Sequence, residues 1–169
     1  MKNIIPVIFM NVLSYDFIIF ITAIFTGIVY HMLKKCSDAL YRKMNVTIYV
    51  PDKDLSRKEA DNDMAEIRET ELVMMRKRMG RLYSLFVNLI GIFPLLGILG
   101  TVTSLLGIVE DSGNVTGNFY GALTSTFWGL VFAIIFKILD GMIYPEIEDN
   151  ERDIELYLER NSEKMAEKQ

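Results

Sequence analysis

Hydroxyl-bearing side chains recur in two apolar stretches of the sequence, in residues 101–104 and again in residues 124–126. A serine or threonine hydroxyl in an apolar helix can coordinate an ion or a water molecule in a membrane pathway. It can equally bond to the backbone carbonyl one turn earlier, which leaves no unsatisfied group and requires no function. The residue types alone leave both interpretations open.

Small residues follow the same two stretches at helical spacing. In chain order they are Gly97, Gly100, Ser104, Gly117, Gly121, Ser125 and Gly129, and the last four repeat strictly every fourth residue. In lipid no hydrophobic effect drives helices together, so close backbone approach and van der Waals contact must hold them. The spacing predicts a tight helix–helix contact. So many small residues also favour an oligomer, or a hairpin that packs both internally and against neighbouring subunits.

The distribution of charge shows which elements carry these residues. Four stretches contain no Asp, Glu, Lys or Arg, and all 40 charges lie outside residues 3–15, 17–33, 82–109 and 112–136. A helix of a soluble domain keeps a charged face, whereas these stretches are apolar all round. Residues 17–33 reach about 25 Å as a helix, and the two later stretches exceed the roughly 30 Å of a hydrocarbon core. The sequence predicts an all-α integral membrane protein with three transmembrane helices.

The predicted organisation follows from these stretches and from the positive-inside rule. Seventeen of the 18 Lys and Arg residues fall on one side if the chain runs out, in, out, in, and that side is the cytoplasm. We expect an interfacial segment on the outer side (1–16), a first transmembrane helix (17–33), a cytoplasmic helical and loop region (34–81), a second transmembrane helix (82–109), an outer loop (110–117), a third transmembrane helix (118–139) and a cytoplasmic amphipathic helix (140–169).

Asp16 has two interpretations. If residues 3–15 lie flat on the outer leaflet, Asp16 is at the interface and caps the end of the first helix. If they extend the span, Asp16 is buried in the membrane and its carboxylate is a functional candidate. The interfacial interpretation is preferred, because residues 17–33 already suffice to cross.

The cytoplasmic regions carry their own helix signals. Ser56 with Glu59 is a capping-box pattern, and it predicts one helix of roughly 50 residues that continues to Val109. Residues 46–50 alternate like a short strand or extended loop, and residues 51–54 are a break. The tail carries an apolar stripe whose acidic flank can face the basic residues of 76–81; the stripe consists of Ile147, Ile154, Leu158 and Met165.

Composition excludes several chemistries. With one cysteine, Cys36, and one histidine, His31, the chain offers no disulfide, no usual zinc site and no Cys/His or Ser/His catalytic pair. It has no nucleotide-binding glycine motif, and a net charge of −4 gives no basic face for nucleic acid. We expect no enzyme activity, no catalytic residues, no metal and no cofactor, and partners that are lipid and other membrane proteins.

Thr101 and Thr126 lie at similar depth. Thr101 is nine residues from Glu110 and Thr126 is eight from Asn118, which places both about 12–14 Å from the outer surface. Helices packed through their glycines could bring both hydroxyls to one ion path. Neither of the two long spans contains a carboxylate, so any titrating acid in the path is expected on another subunit.

Two runs of residues resemble a known family. Residues 93–109 contain Pro94-Leu-Leu-Gly-Ile-Leu-Gly-Thr-Val102, which resembles the P-x-x-G-x-L-G-T-V signature of the MotA/TolQ/ExbB proton channel family. Residues 121–130 contain Ala122-Leu-Thr-Ser-Thr-Phe-Trp-Gly-Leu130, which is similar to that family's third-span pattern A-L-x-x-T-x-x-G-L. The resemblance covers roughly residues 81–157.

The resemblance implies a homopentameric ring in the bacterial inner membrane, around two copies of a single-span partner similar to MotB, TolR or ExbD. It implies that the ring couples ion flow to mechanical work through an aspartate in the partner's span. The transported ion would be H⁺, with Na⁺ as the alternative. The family's ion-path threonines correspond to Thr101 and Thr126.

The sequence also departs from the family. A glutamate usually precedes the Ala-Leu of the third span in TolQ- and ExbB-like members, and Gly121 stands there. Ser104 replaces a common glycine, and the short cytoplasmic region does not support engagement of a flagellar rotor. The leading hypothesis is an ion-driven motor subunit. The alternatives are a membrane scaffold whose glycines serve only assembly, and a passive pore.

Overall fold

Three helices make up the part of the chain that the computed structural model describes, residues 16–45, 57–110 and 115–166. They are α1 (Phe17–Asn45), α2 (Arg57–Glu110) and α3 (Val115–Ala166). Each contains a stretch long and apolar enough to cross a membrane, within Phe17–Lys43, Thr70–Val109 and Val115–Glu159. The prediction of an all-helical chain with three such helices is confirmed. The expectations for residues 1–15, 46–54 and 111–114 lie outside the described residues.

Two helices are longer than any single membrane span. α2 begins directly after Ser56, as the capping-box pattern predicts, and its 54 residues continue through Pro94. α3 has 52 residues and continues through Pro145, so the predicted third transmembrane helix and the C-terminal amphipathic helix form one continuous element. The membrane boundaries within these helices stay predictions.

The chain forms two compact units. The first, here called the apolar unit, comprises Met1–Tyr30 and Ser84–Gly141; the second, here called the charged unit, comprises His31–Tyr83 and Met142–Gln169. Each unit contains part of all three helices. They are described separately.

Aromatic rings fill the centre of the apolar unit. Phe86 and Phe93 are fully buried on α2, and the Phe93 ring stacks on Phe136 of α3 with centroids 5.4 Å apart. Phe20 of α1 contacts Trp128 and Phe132 of α3 at 5.1 and 5.3 Å. These contacts bring all three helices together, and ring pairs of this geometry add to the free energy gained by burial alone.

The charged unit has an aliphatic core with a seven-residue spacing. Leu33 and Leu40 supply α1, Leu72 and Met79 supply α2, and Ile147 and Ile154 supply α3; all six are buried. This spacing keeps one face of each helix inward. The apolar stripe predicted on the tail is therefore confirmed at Ile147 and Ile154, and Leu158 is half-buried. The side chain of Met165 lies outside the described part.

The tail also faces the basic stretch of α2, as its charge pattern indicates. Glu151 and Leu158 of α3 line one groove with Arg76 and Lys77 of α2. On the neighbouring flank Lys43 of α1 pairs with Glu71 of α2. Both partners of that pair are about half exposed, so it contributes little to the free energy of unfolding.

One polar contact is enclosed in the charged unit. Asn150 of α3 and Ser37 of α1 are 3% and 2% exposed, and the Asn150 Nδ2 donates to the Ser37 Oγ at 2.7 Å and to the Ser37 carbonyl at 3.4 Å. A buried amide that lost its partner would be costly, so this contact specifies the register of α1 against α3.

Removing this contact should loosen the charged unit locally. We expect Asn150→Ala to lower the free energy of local opening by about 1–2 kcal/mol, because the Ser37 hydroxyl loses its buried partner. Amide hydrogen exchange in residues 142–158 should accelerate about tenfold. Asp149→Ala, at the adjacent exposed position, is the control; equal exchange rates in the two variants would contradict the assignment.

Candidate functional site

Glycines bring the backbones of α2 and α3 into direct contact in the apolar unit. A Cβ placed on Gly97 would lie 3.2 Å from both the Ser125 carbonyl oxygen and the Thr126 Cα. A Cβ on Gly129 would lie 2.7 Å from the Phe93 carbonyl oxygen and 3.0 Å from the Gly97 Cα. Only a residue without a side chain fits where one backbone meets another this closely.

Small polar residues continue the contact toward the start of α3. A Cβ on Gly100 would overlap the Ser125 side chain, and one on Gly121 would lie 3.2 Å from the Ser104 Oγ. Ser104 and Ser125 are both buried. The last pair is Gly107 with the Asn118 amide, and Gly117 is half-buried. The small residues singled out in the sequence therefore lie mainly between α2 and α3.

The two threonines assigned to the ion path lie near the same level. Gly100 faces Ser125, and α2 and α3 run antiparallel, so Thr101 is level with residue 124. Thr126 is two residues from that level, which is roughly 3 Å along the helix axis. The Thr126 Oγ1 donates across the contact to the Gly97 carbonyl at 3.5 Å. The Thr101 Oγ1 donates to the Ile98 carbonyl of its own helix at 2.6 Å. Both side chains are half-buried, and neither hydroxyl bonds to the other.

The neighbouring hydroxyls are bonded within their own helices. The Thr103 Oγ1 donates to the Leu99 carbonyl at 2.8 Å, and the Thr124 Oγ1 donates to the Gly121 carbonyl at 3.0 Å. These bonds satisfy the hydroxyl without a ligand. Ser125 and Thr124 additionally face one residue that precedes α1, and the Ser125 Oγ makes the closer contact with it.

That residue is Asp16, and its side chain is buried inside the protein. Asp16 does lie directly before α1, and its carbonyl accepts the first backbone hydrogen bonds of the helix, from Ile19 and Phe20. Its side chain, however, is 1% exposed, and its Oδ1 lies 2.5 Å from the Ser125 Oγ. A buried carboxyl agrees with the alternative interpretation, and the depth of Asp16 in the membrane stays a prediction.

The position of α1 against α3 explains this burial. Ser125 is ten residues from Val115, where α3 begins, and that distance is about 15 Å along the helix. The start of α1 therefore packs beside the interior of α3 and not beside its end. One signal in the sequence was available: Asp16 is the only charged residue between Lys2 and Lys34.

Three helices apolar enough to cross a membrane, packed through glycines, are the arrangement of a multi-pass membrane protein. A sequence model of the MotA/TolQ/ExbB proton channel family matches residues 50–156 of this chain. The chain belongs to that family. A comparison with curated proteins and one with solved structures each returned no match.

The glycine contact predicts a position-specific effect of alanine. We expect Gly129→Ala to destabilise the protein by about 1–3 kcal/mol, because the added Cβ meets backbone atoms of Phe93 and Gly97 that cannot rotate away. The measurement is thermal unfolding of the detergent-purified protein. Gly141→Ala, in the same helix but with open space around its Cβ, is the matched control. Equal unfolding temperatures would show that α2 and α3 do not meet at Gly129.

Proposed function

We propose that this chain is the ion-conducting subunit of a membrane motor driven by the ion-motive force. The observation that carries the proposal is the contact of Gly97 with Thr126, because it joins the two family motifs at a single place in the fold. Residues from both motifs thus surround the same small volume between α2 and α3. Family membership gives that volume its interpretation as part of an ion path.

A homopentameric ring is the proposed assembly. In each spanning helix, between 28% and 33% of the apolar 18-residue stretch is buried inside one chain. Most of each helix surface is therefore left for lipid or for other subunits. On α2 the outward side chains are large and apolar, including Leu95, Ile98 and Leu106 at 56–64% exposure. Neighbouring copies and the central partner would cover part of this surface, as close packing between membrane helices requires.

The proposed location is the bacterial inner membrane, with the N-terminus outside and the C-terminus in the cytoplasm. The bias of Lys and Arg supports this orientation, since 12 of the 18 lie in residues 34–81 and five lie from Lys137 onward. The charged unit would then lie on the cytoplasmic side, with its buried Asn150–Ser37 contact fixing the helix register there.

Thr101 and Thr126 are the proposed ion-path residues, with H⁺ as the transported ion and Na⁺ as the alternative. Two copies of a single-span protein similar to MotB, TolR or ExbD would supply a membrane aspartate at the centre of the ring. Each elementary charge that crosses 100 mV releases about 2.3 kcal/mol, so a few steps suffice to rotate a ring against a central dimer.

A membrane scaffold remains the second candidate, and one observation favours it. The Thr101 hydroxyl is already bonded to its own helix at 2.6 Å, which is what a purely structural threonine does. Native mass spectrometry of the complex purified from its natural membrane separates the candidates. Five copies of this chain with two copies of a single-span protein that carries a membrane aspartate would support the motor. A dimer or trimer of this chain alone would support the scaffold.

The ion-path assignment predicts which hydroxyls matter. We expect Thr101→Val and Thr126→Val to reduce proton flux by at least tenfold while the complex still assembles, because valine keeps the shape of threonine but removes its hydroxyl. The measurement is potential-driven acidification of phosphatidylethanolamine/phosphatidylglycerol vesicles that contain the purified complex. Thr103→Val, which loses a hydroxyl bonded only within α2, should conduct normally. Wild-type flux in both test variants would refute the assignment.

A further inference from the structure

A buried carboxyl group of this chain lies beside the proposed ion path. Asp16 is 1% exposed, its Oδ1 contacts the Ser125 Oγ at 2.5 Å, and the Thr124 side chain also lies beside the carboxyl group. The Oδ2 is buried without a partner among the described residues. Ser125 is adjacent in sequence to Thr126 and faces Gly100, which is adjacent to Thr101.

No positive charge is available to pair with Asp16 in the described part of the apolar unit. The only basic side chain there is that of Lys137, which bonds to Asp140 at 2.7 Å and lies twelve residues, or about 18 Å, along α3 from Ser125. Residues 17–33 of α1 and residues 82–109 of α2 contain no Asp, Glu, Lys or Arg. On α3, the only ionisable side chain within two turns of Ser125 is that of Tyr120, which is 47% exposed. A buried carboxyl without a counter-charge is favoured in its neutral, protonated form.

The hydrogen bonds that Ser125 can make agree with a protonated Asp16. The Ser125 Oγ has one hydrogen but two oxygens in reach, the Asp16 Oδ1 at 2.5 Å and the Gly121 carbonyl at 3.1 Å. If Asp16 carries a proton, it donates to Ser125, and Ser125 donates to Gly121, so each hydrogen has an acceptor. If Asp16 loses the proton, the serine hydroxyl can rotate and donate to the carboxylate. Ser125 can therefore serve both protonation states without moving its oxygen.

We propose that Asp16 and Ser125 form a proton-binding site within the membrane part of this chain, and that this site serves the path lined by Thr101 and Thr126. The carboxylate takes up one proton from the path and releases it again as the carboxyl group deprotonates. Its role in transport rests on the proposed function, whereas proton binding itself does not. The absence of charge from residues 82–109 and 112–136 predicts that any acid of the path lies on another subunit, whereas with Asp16 this chain supplies one of its own.

Proton binding can be tested with dicyclohexylcarbodiimide, an apolar reagent that reacts with protonated carboxyl groups in apolar surroundings. The probe is added to the purified complex over a series of pH values, and modification is read by mass spectrometry. Residues 3–34 form one tryptic peptide whose only carboxyl side chain is that of Asp16. We expect modification of this peptide at low pH that falls as the pH rises, and none in Asp16→Asn.

Two further variants test the hydrogen bond and the position. Ser125→Ala should keep the modification up to higher pH, because the ionised carboxylate loses its hydroxyl donor. Asp140→Asn removes a buried carboxyl that is paired with Lys137 and should leave modification of Asp16 unchanged. Absence of modification of wild-type Asp16 at every pH would overturn the proposal. Protection by Na⁺ that does not depend on pH would also overturn it and indicate a sodium site.

Proton flux on the same preparations tests the role in transport. We expect Asp16→Asn to lower flux by at least tenfold in vesicles where the wild-type complex conducts. Unchanged flux with pH-dependent modification would refute the role in the path. If the wild-type complex with its partner conducts no ions but Asp16 is still modified in a pH-dependent way, the proposed motor function fails while the proton site stands.

Discussion

The close approach of the α2 and α3 backbones is the constraint on which the apolar unit depends. In lipid the hydrophobic effect does not drive these helices together, so van der Waals contact along the helices must hold them. Gly97 and Gly129 remove the side chains that would hold the backbones apart, and this allows the Thr126 hydroxyl to reach the Gly97 carbonyl. The same approach places Ser125 against Gly100, where its hydroxyl is confined to a small space and meets Asp16.

The two units are stabilised by different physical effects, although the same three helices form both. In the apolar unit, glycine contacts and aromatic rings hold helices whose outer faces are also apolar. In the charged unit, Leu40, Met79 and Ile154 are buried while charged side chains cover the outside, which is the usual arrangement in water. The enclosed Asn150–Ser37 contact adds specificity to a core of otherwise interchangeable aliphatic side chains.

Local features of the sequence were sufficient to predict the helices and the helix contact. Absence of charge over residues 82–109 marks a membrane span because lipid penalises charge wherever it occurs along the helix. The four-residue spacing from Gly117 to Gly129 marks one helix face, because residues four apart lie on the same side of a helix. The capping-box pattern at Ser56 located the start of α2. The burial of Asp16 could not be predicted, because it depends on where α1 begins beside α3, and the tertiary packing of Phe20 against Trp128 and Phe132 determines that.

The central claim is that this chain forms part of an ion path that works only together with a second protein. The most direct measurement is potential-driven proton uptake into vesicles that contain the purified ring, with and without its single-span partner. Our account predicts uptake when both proteins are present and none with the ring alone, because the hydroxyls and the Asp16 carboxyl of this chain do not complete the path. Equal uptake with and without the partner would contradict the account and would identify the chain as a passive pore.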